Sequence, residues 1–253
     1  MSRVIAVANQ KGGVGKTTTT INLSASLAEA GKRVLVVDMD PQGNTSSGLA
    51  VNKYRTENGI YEVLIGFCPI EEALIRDQLP NLDILPANVS LSGAEVELIS
   101  MDDNSFRLKK ALDTVRDRYD FVLIDCPPSL SLLTVNSLTA ADSVLVPIQC
   151  EYYALEGLSQ LMHTIELIRE RLNDRLEIEG IVFTMYDSRT KLSEQVVENV
   201  KANVDQKIYE TLIPRNVRLA EAPSYGLPIN IYDSRSTGAQ SYRALAQEVI
   251  KSR

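Results

Sequence analysis

Residues 10–18 read Gln-Lys-Gly-Gly-Val-Gly-Lys-Thr-Thr and follow directly on an apolar run, Val-Ile-Ala-Val-Ala, at 4–8. A short apolar run bounded by turn residues predicts a buried strand. A glycine-rich stretch ending in Gly-Lys-Thr, followed by a helical pattern, predicts the turn that wraps a phosphate chain. The strict form of that pattern opens on a glycine, and Gln10 stands in its place here. Gly12, Gly13 and Gly15 still supply the backbone freedom such a loop needs. Consecutive amides from Gly12 through Val14 to Thr18 can then converge on phosphate oxygens at a helix N-terminus. Lys16 would reach the terminal phosphates, and Thr17 would place its hydroxyl on a magnesium ion.

This start constrains the rest of the chain, and the rest agrees with it. Apolar, β-branched runs at 4–8, 33–38, 82–86, 121–125, 143–149 and 180–185 alternate with helical patterns at 16–30, 105–118, 130–140, 153–173, 192–204 and 238–251. The alternation predicts an α/β fold, a doubly wound, mainly parallel sheet flanked by helices. Gly31 is placed to stop the first helix, and Asp142 and Gly180 stand at expected helix-to-strand junctions. Residues 41–60 are the longest loop-like stretch and are expected to flank the site. With 253 residues, and no repeat or Pro/Gly/Ser-rich linker, residues 1–253 are expected to form a single domain.

Composition narrows the function classes. Only about five apolar residues precede Asn9, which argues against a secretory signal, and no apolar run approaches the roughly 18–20 residues of a spanning helix. Three scattered cysteines, Cys68, Cys126 and Cys150, argue for reduced thiols and a cytoplasmic location. The single His163 excludes histidine clusters for metals. The net charge of −7 argues against a general nucleic-acid coat, yet residues 185–253 carry 10 Lys/Arg against 8 Asp/Glu while the preceding part is acidic. The C-terminal quarter is therefore the part whose field could favour a polyanion.

Two further segments carry chemistry. Asp38-Met39-Asp40-Pro41-Gln42-Gly43-Asn44 leaves the second strand with two carboxylates sharing one side of an extended chain. One of them could complete a magnesium shell and the other could orient a water for in-line attack on a phosphate. Phe121-Val-Leu-Ile-Asp125 is an apolar strand ending in an acid, the Walker-B arrangement for a metal beside the phosphate loop. Cys126 reads as a small buried filler rather than a nucleophile.

Lys11-Gly-Gly-Val-Gly-Lys16-Thr-Thr18 resembles the deviant Walker A motif of the ParA/MinD family, marked by its extra lysine, here Lys11. The Asp38–Asn44 segment resembles the family's Walker A′, and Asp125-Cys-Pro-Pro-Ser129 its Walker B. Residues 149–158 and 213–223 are also family-like. The resemblance runs from residue 2 to the C-terminus and is closest to the short chromosome-partitioning members, which begin directly at the first strand.

The resemblance implies an NTPase that hydrolyses ATP with Mg2+. Two subunits would sandwich two ATP molecules, with Lys11 reaching the partner's phosphates. Asp40 would orient the attacking water, and Thr17 and Asp125 would manage magnesium. Pro214 and Asn216 match the adenine-recognition segment, where an Asn amide suits the adenine edge, although the residues alone allow Pro214 to be a turn. Arg189 and Arg218 match DNA-binding positions, with Lys191, Lys201, Lys207, Arg215 and Arg235 extending the patch. The implied partners are sequence-nonspecific double-stranded DNA, a second copy in an ATP-dependent homodimer, and a ParB-type centromere-binding protein that stimulates hydrolysis. The implied location is the nucleoid, not the membrane. Three rivals share the loop: a MinD-like membrane ATPase, an iron–sulfur scaffold ATPase and a small-molecule synthetase. The tail at 242–253 lacks the aromatic and basic character of a membrane anchor, and no Cys-x-x-Cys is present.

Overall fold

The structure, a computed structural model, describes residues 2–152 and 154–252. Its strands are β1 (Arg3–Val7), β2 (Val34–Asp38), β3 (Ile75–Leu79), β4 (Leu82–Leu85), β5 (Phe121–Asp125), β6 (Ser143–Gln149) and β7 (Glu177–Thr184). They form one seven-stranded sheet in the order β3-β4-β2-β5-β1-β6-β7. All neighbours pair parallel except β3 and β4, which are antiparallel.

Helices α1 (Lys16–Glu29), α2 (Asn44–Gly48), α3 (Ile60–Ile65), α4 (Ile70–Ala73), α5 (Leu91–Ile99), α6 (Arg107–Leu112), α7 (Leu132–Ala140), α8 (Ala154–Arg171), α9 (Lys191–Asn203), α10 (Val217–Glu221), α11 (Ile229–Tyr232) and α12 (Thr237–Lys251) connect and cover the strands.

The central strands are buried along their whole length, which is why they read as unbroken apolar runs. Alternate side chains feed two cores. Val4, Ala6, Leu35, Val37, Val122 and Ile124 face one. Ile5, Val7, Val34, Val36, Phe121 and Leu123 face the other. The second core is roofed by α1 and α12, whose Leu23, Leu27, Tyr242, Leu245 and Val249 are buried in it. The apolar stripe of the final helix is thus spent on the sheet. Among the described residues no helix is long and apolar enough to cross a membrane.

Gly31 stops α1 as expected: it has φ 80, and its amide donates to Ala28 O at 2.9 Å. Three expectations need correction. The strand expected at 180–185 begins at Glu177, and Gly180 is an interior position, not a junction. The register against β6 shifts there, φ is 154, and an added Cβ would lie 2.7 Å from the Tyr209 ring. The glycine marks a bulge and a close approach. The helix expected at 105–118 shortens to α6 followed by a 3-10 turn, Arg116–Arg118. Finally, β3 was not foreseen. Its Ile-Arg-Asp-Gln-Leu sequence is half exposed at the sheet edge, where an apolar run is not required.

Candidate nucleotide site

The loop after β1 is built by partners distant in sequence. Asn9 lies at its start and donates its amide to Pro147 O at 2.8 Å, while its Oδ1 accepts the Lys11 amide at 2.9 Å. Pro147 is tolerated inside β6 because the pairing with β1 has already ended at Leu145. Its missing N–H faces the side the main chain has just left. On the far side, Thr184 Oγ1 donates to Val14 O at 2.8 Å. Gly15, with φ 88, enters α1 in the left-handed region, and the open amides of the first helical turn face the loop's hollow.

Lys16 is 7% exposed and donates to the Lys11 carbonyl at 3.1 Å. Burial pulls its pKa down, opposed mainly by the nearby charge of Asp125 and also by Asp40. A buried cation with, among the described residues, only a carbonyl for a hydrogen bond is poised for an anion.

Thr17 donates to Asp125 Oδ2 at 2.7 Å. Asp125 and Asp38 are both fully buried and stand directly opposite each other at the ends of β5 and β2. Burial drives both carboxyls well above the usual carboxylate range, and for Asp38 the neighbouring Asp125 adds to the rise. Asp38 is tied to its own loop: Oδ2 accepts the Ser46 amide at 2.7 Å and its hydroxyl at 2.6 Å, and Oδ1 accepts the Asp40 amide at 3.2 Å. It anchors the loop that presents Asp40. The two functions left open for the acids in the Asp38–Asn44 segment therefore narrow, because Asp38 is fully buried and both its oxygens hold that loop. Asp40 is 8% exposed and close enough to act on both Lys16 and Asp125. Cys126 is buried, with its thiol pushed up to about 12 by desolvation, in keeping with a filler.

Lys11 points away from this hollow. Its ammonium pairs with Glu151 Oε2 at 2.8 Å, and Glu151 is held in turn by Gln149 Nε2 at 2.5 Å. The Lys11 side chain is thus fastened to the β6–α8 connection, a contact that sequence spacing does not reveal.

Beside the loop lies a cavity of about 270 Å3 lined by Gly15, Thr18, Thr184, Met185, Pro214 and Asn216 among others. The chain at 213–215 closes it by running alongside the end of β7, with Tyr186 N donating to Ile213 O and Arg215 N to Tyr186 O, each at 3.0 Å. Asn216 lines the cavity, but its amide is committed. Oδ1 caps α10 by accepting from Arg218 N at 2.8 Å and Leu219 N at 3.4 Å, and Nδ2 donates to Thr237 Oγ1 at 2.7 Å. Met185 also lines it and holds φ at 51, an unfavourable angle for this residue. No sequence signal marked Met185.

Arg189 and Arg218 lie outside the cavity. Arg189 is highly exposed and grips Asp187 through Nε at 2.9 Å and Nη2 at 2.7 Å. This draws the Asp187 carboxyl down to about 2. Arg218 pairs with Glu221 at 3.0 Å and with Asp233 at 3.6 Å.

Over residues 2–178 the chain matches a family model described as an AAA domain. It is 55% identical over 250 residues to the chromosome partitioning protein ParA of Caulobacter vibrioides, covering 98% of this chain and 94% of that one. It is 54% identical over 249 residues to the sporulation initiation inhibitor protein Soj of Bacillus subtilis, covering 98% of each. Among solved structures, cobyrinic acid a,c-diamide synthase of Mycobacterium smegmatis, with bound ATP analog and magnesium, superposes with a TM-score of 0.87 at 39% identity, covering 99% of this chain and 95% of that one. The septum site-determining protein MinD of Pyrococcus horikoshii, complexed with Mg-ADP, superposes with a TM-score of 0.82 at 29% identity, covering 99% and 97%.

Proposed function

We propose, for a chain that belongs to the ParA/Soj family of AAA-domain proteins, that it is a partitioning ATPase whose ATP-bound dimer holds DNA without regard to sequence. It hydrolyses ATP and uses Mg2+, as the nucleotide-bound structural relatives and the residues of the site together support. Identity decides against the synthetase rival: 55% to a partition protein stands against 39% to the diamide synthase. The observation that carries the reading is the convergence of Lys16, Thr17, Asp40 and Asp125 at the ends of β1, β2 and β5.

The residues fit the ligand. The loop amides and the buried Lys16 ammonium match phosphate oxygens. The cavity of about 270 Å3 beside Gly15 and Thr18 accepts the base. Thr17 and Asp125 would hold magnesium. Among the described residues no group of three His, Cys, Asp or Glu side chains could hold a metal, so phosphate oxygens and water would complete the shell. Magnesium, when bound, offsets charge developing on the transferring phosphoryl group. Asp40 orients the attacking water. Lys11 leaves Glu151 and reaches the partner's phosphates across the dimer. The base is held by the cavity walls at Pro214 and Met185, while Asn216 fixes α10 against α12 through Thr237. Arg189 and Arg218 contact DNA phosphates after exchanging their carboxylate partners. Dimerisation doubles that patch and raises its avidity. A ParB-type protein stimulates hydrolysis and resets the cycle at the nucleoid.

The test is binding to random-sequence duplex DNA with ATP, ADP or no nucleotide at two salt concentrations. Binding that needs ATP and weakens steeply with salt is expected. Absence of binding in every nucleotide state overturns the DNA-linked reading.

A further inference from the structure

Asp125 does not face Thr17 alone. Its Oδ2 accepts a second hydroxyl, that of Thr45, also at 2.7 Å, while Thr20 Oγ1 lies 3.4 Å from Oδ1 but is closer, at 3.1 Å, to the Lys16 carbonyl that takes its proton. Thr45 is fully buried in the first turn of α2, 80 residues from Asp125 in the chain. The next residue, Ser46, gives both its amide and its hydroxyl to Asp38 and accepts the Ala87 amide at 2.9 Å. Consecutive residues of one short helix therefore hold the two carboxylates that close the central strands. The same loop begins with Asp40.

A threonine hydroxyl has one proton to give. Thr17 gives its proton to Asp125 while its oxygen lone pairs stay open to a cation, so any rotation of Thr17 toward the metal also moves its hold on the carboxylate. Thr45 has no such second duty, so its proton can stay on Asp125 and keep the carboxylate from rotating. We propose that Thr45 is a positioning residue of the metal site. Its hydroxyl orients Asp125 toward the cation and ties the Asp40 loop to that carboxylate. The inference rests on the reading of Thr17 and Asp125 given above. Partners of this kind, one step behind the ligands, commonly change metal affinity by about 10–100-fold when removed.

The experiment measures equilibrium Mn2+ binding by electron paramagnetic resonance to the full chain saturated with ADP. Thr45→Val keeps the shape and deletes the donor, and Thr45→Ala deletes it without a second methyl to pack. Both are expected to weaken Mn2+ by about 10-fold or more, with ADP affinity in chelator unchanged. Thr45→Ser, which restores the hydroxyl, is expected to bind Mn2+ as the parent does. Asp125→Asn and Thr17→Ala serve as controls for the site itself. If these controls lose Mn2+ while Thr45→Val and Thr45→Ala bind it normally, the positioning role is wrong and the metal site stands. If the controls also bind normally, the metal-site reading fails and takes this inference with it. Loss of Mn2+ in Thr45→Ser equal to that in Thr45→Val would also overturn the role, because it would mean packing, not the hydroxyl, is what matters.

Discussion

At the scale of single residues, buried charge governs the site. Asp40 sits close to Lys16 and Asp125, and its Oδ1 accepts the Gln42 amide at 2.9 Å. Asp40→Ala should lower the hydrolysis rate by about 10²–10⁴-fold while nucleotide affinity stays near the parent value. Fluorescent-nucleotide titration alongside phosphate release separates the two, and lost nucleotide binding would contradict the water-orienting role. The Asp38–Asp125 pair makes a second prediction. Carboxyls raised by burial, and in Asp38 also by the neighbouring Asp125, bind more protons folded than unfolded. Their contribution to stability is therefore complete below the ordinary carboxylate pKa and is lost as pH rises through the raised folded values. Melting of metal-free, nucleotide-free protein from the ordinary carboxylate value of about 4 up to about pH 8, a range that spans the raised folded values, should show a falling midpoint. Magnesium and nucleotide should flatten the slope, since a cation at the proposed Asp125 site would replace the proton. A midpoint that climbs across this window would contradict the buried-pair assignment.

At the scale of elements, the site depends on how the sheet is covered. α1 carries Lys16 and Thr17 at its first turn and packs along α12. Leu245 of α12 is fully buried in the core they share. Leu245→Ala should cost about 2–5 kcal/mol of unfolding free energy, measured as a shift in the urea midpoint with unchanged slope. A change below about 0.5 kcal/mol, the size usual at a surface position, would mean that α12 does not seal that core. The short helices α2, α3, α4, α10 and α11 escaped sequence reading because four to six residues hold too little periodicity. They are set by caps and by contacts instead, as with Asn216 at the start of α10.

At the scale of the molecule, two exposed arginines carry the proposed coupling to DNA, and both are already paired with acids of their own chain. Exposed pairs are weak, so phosphates can displace the carboxylates. Arg189→Glu should leave ATP binding and dimerisation unchanged, while duplex affinity falls and its salt dependence becomes shallower by about one unit of slope for each lost phosphate contact. Unchanged affinity would move the DNA surface elsewhere. Lys11 presents the same issue of partner exchange. Its ion pair with Glu151 is half exposed, so it can be surrendered to a phosphate at modest cost.

The phosphate loop, the strand-end acids and the alternation of strand and helix were legible because each is local. They depend on side-chain periodicity and on residues a few positions apart. The sequence alone thus determined the α/β class, the placing of Lys16, Thr17, Asp40 and Asp125, and the stop at Gly31. The tertiary structure decided which distant groups meet. Strand order brings Thr45 to Asp125, Glu151 to Lys11 and Thr184 to the Val14 carbonyl. It also commits the Asn216 amide to Thr237. A hydrogen bond is made within about 3 Å, and no spacing along the chain specifies that distance until the sheet has ordered its strands.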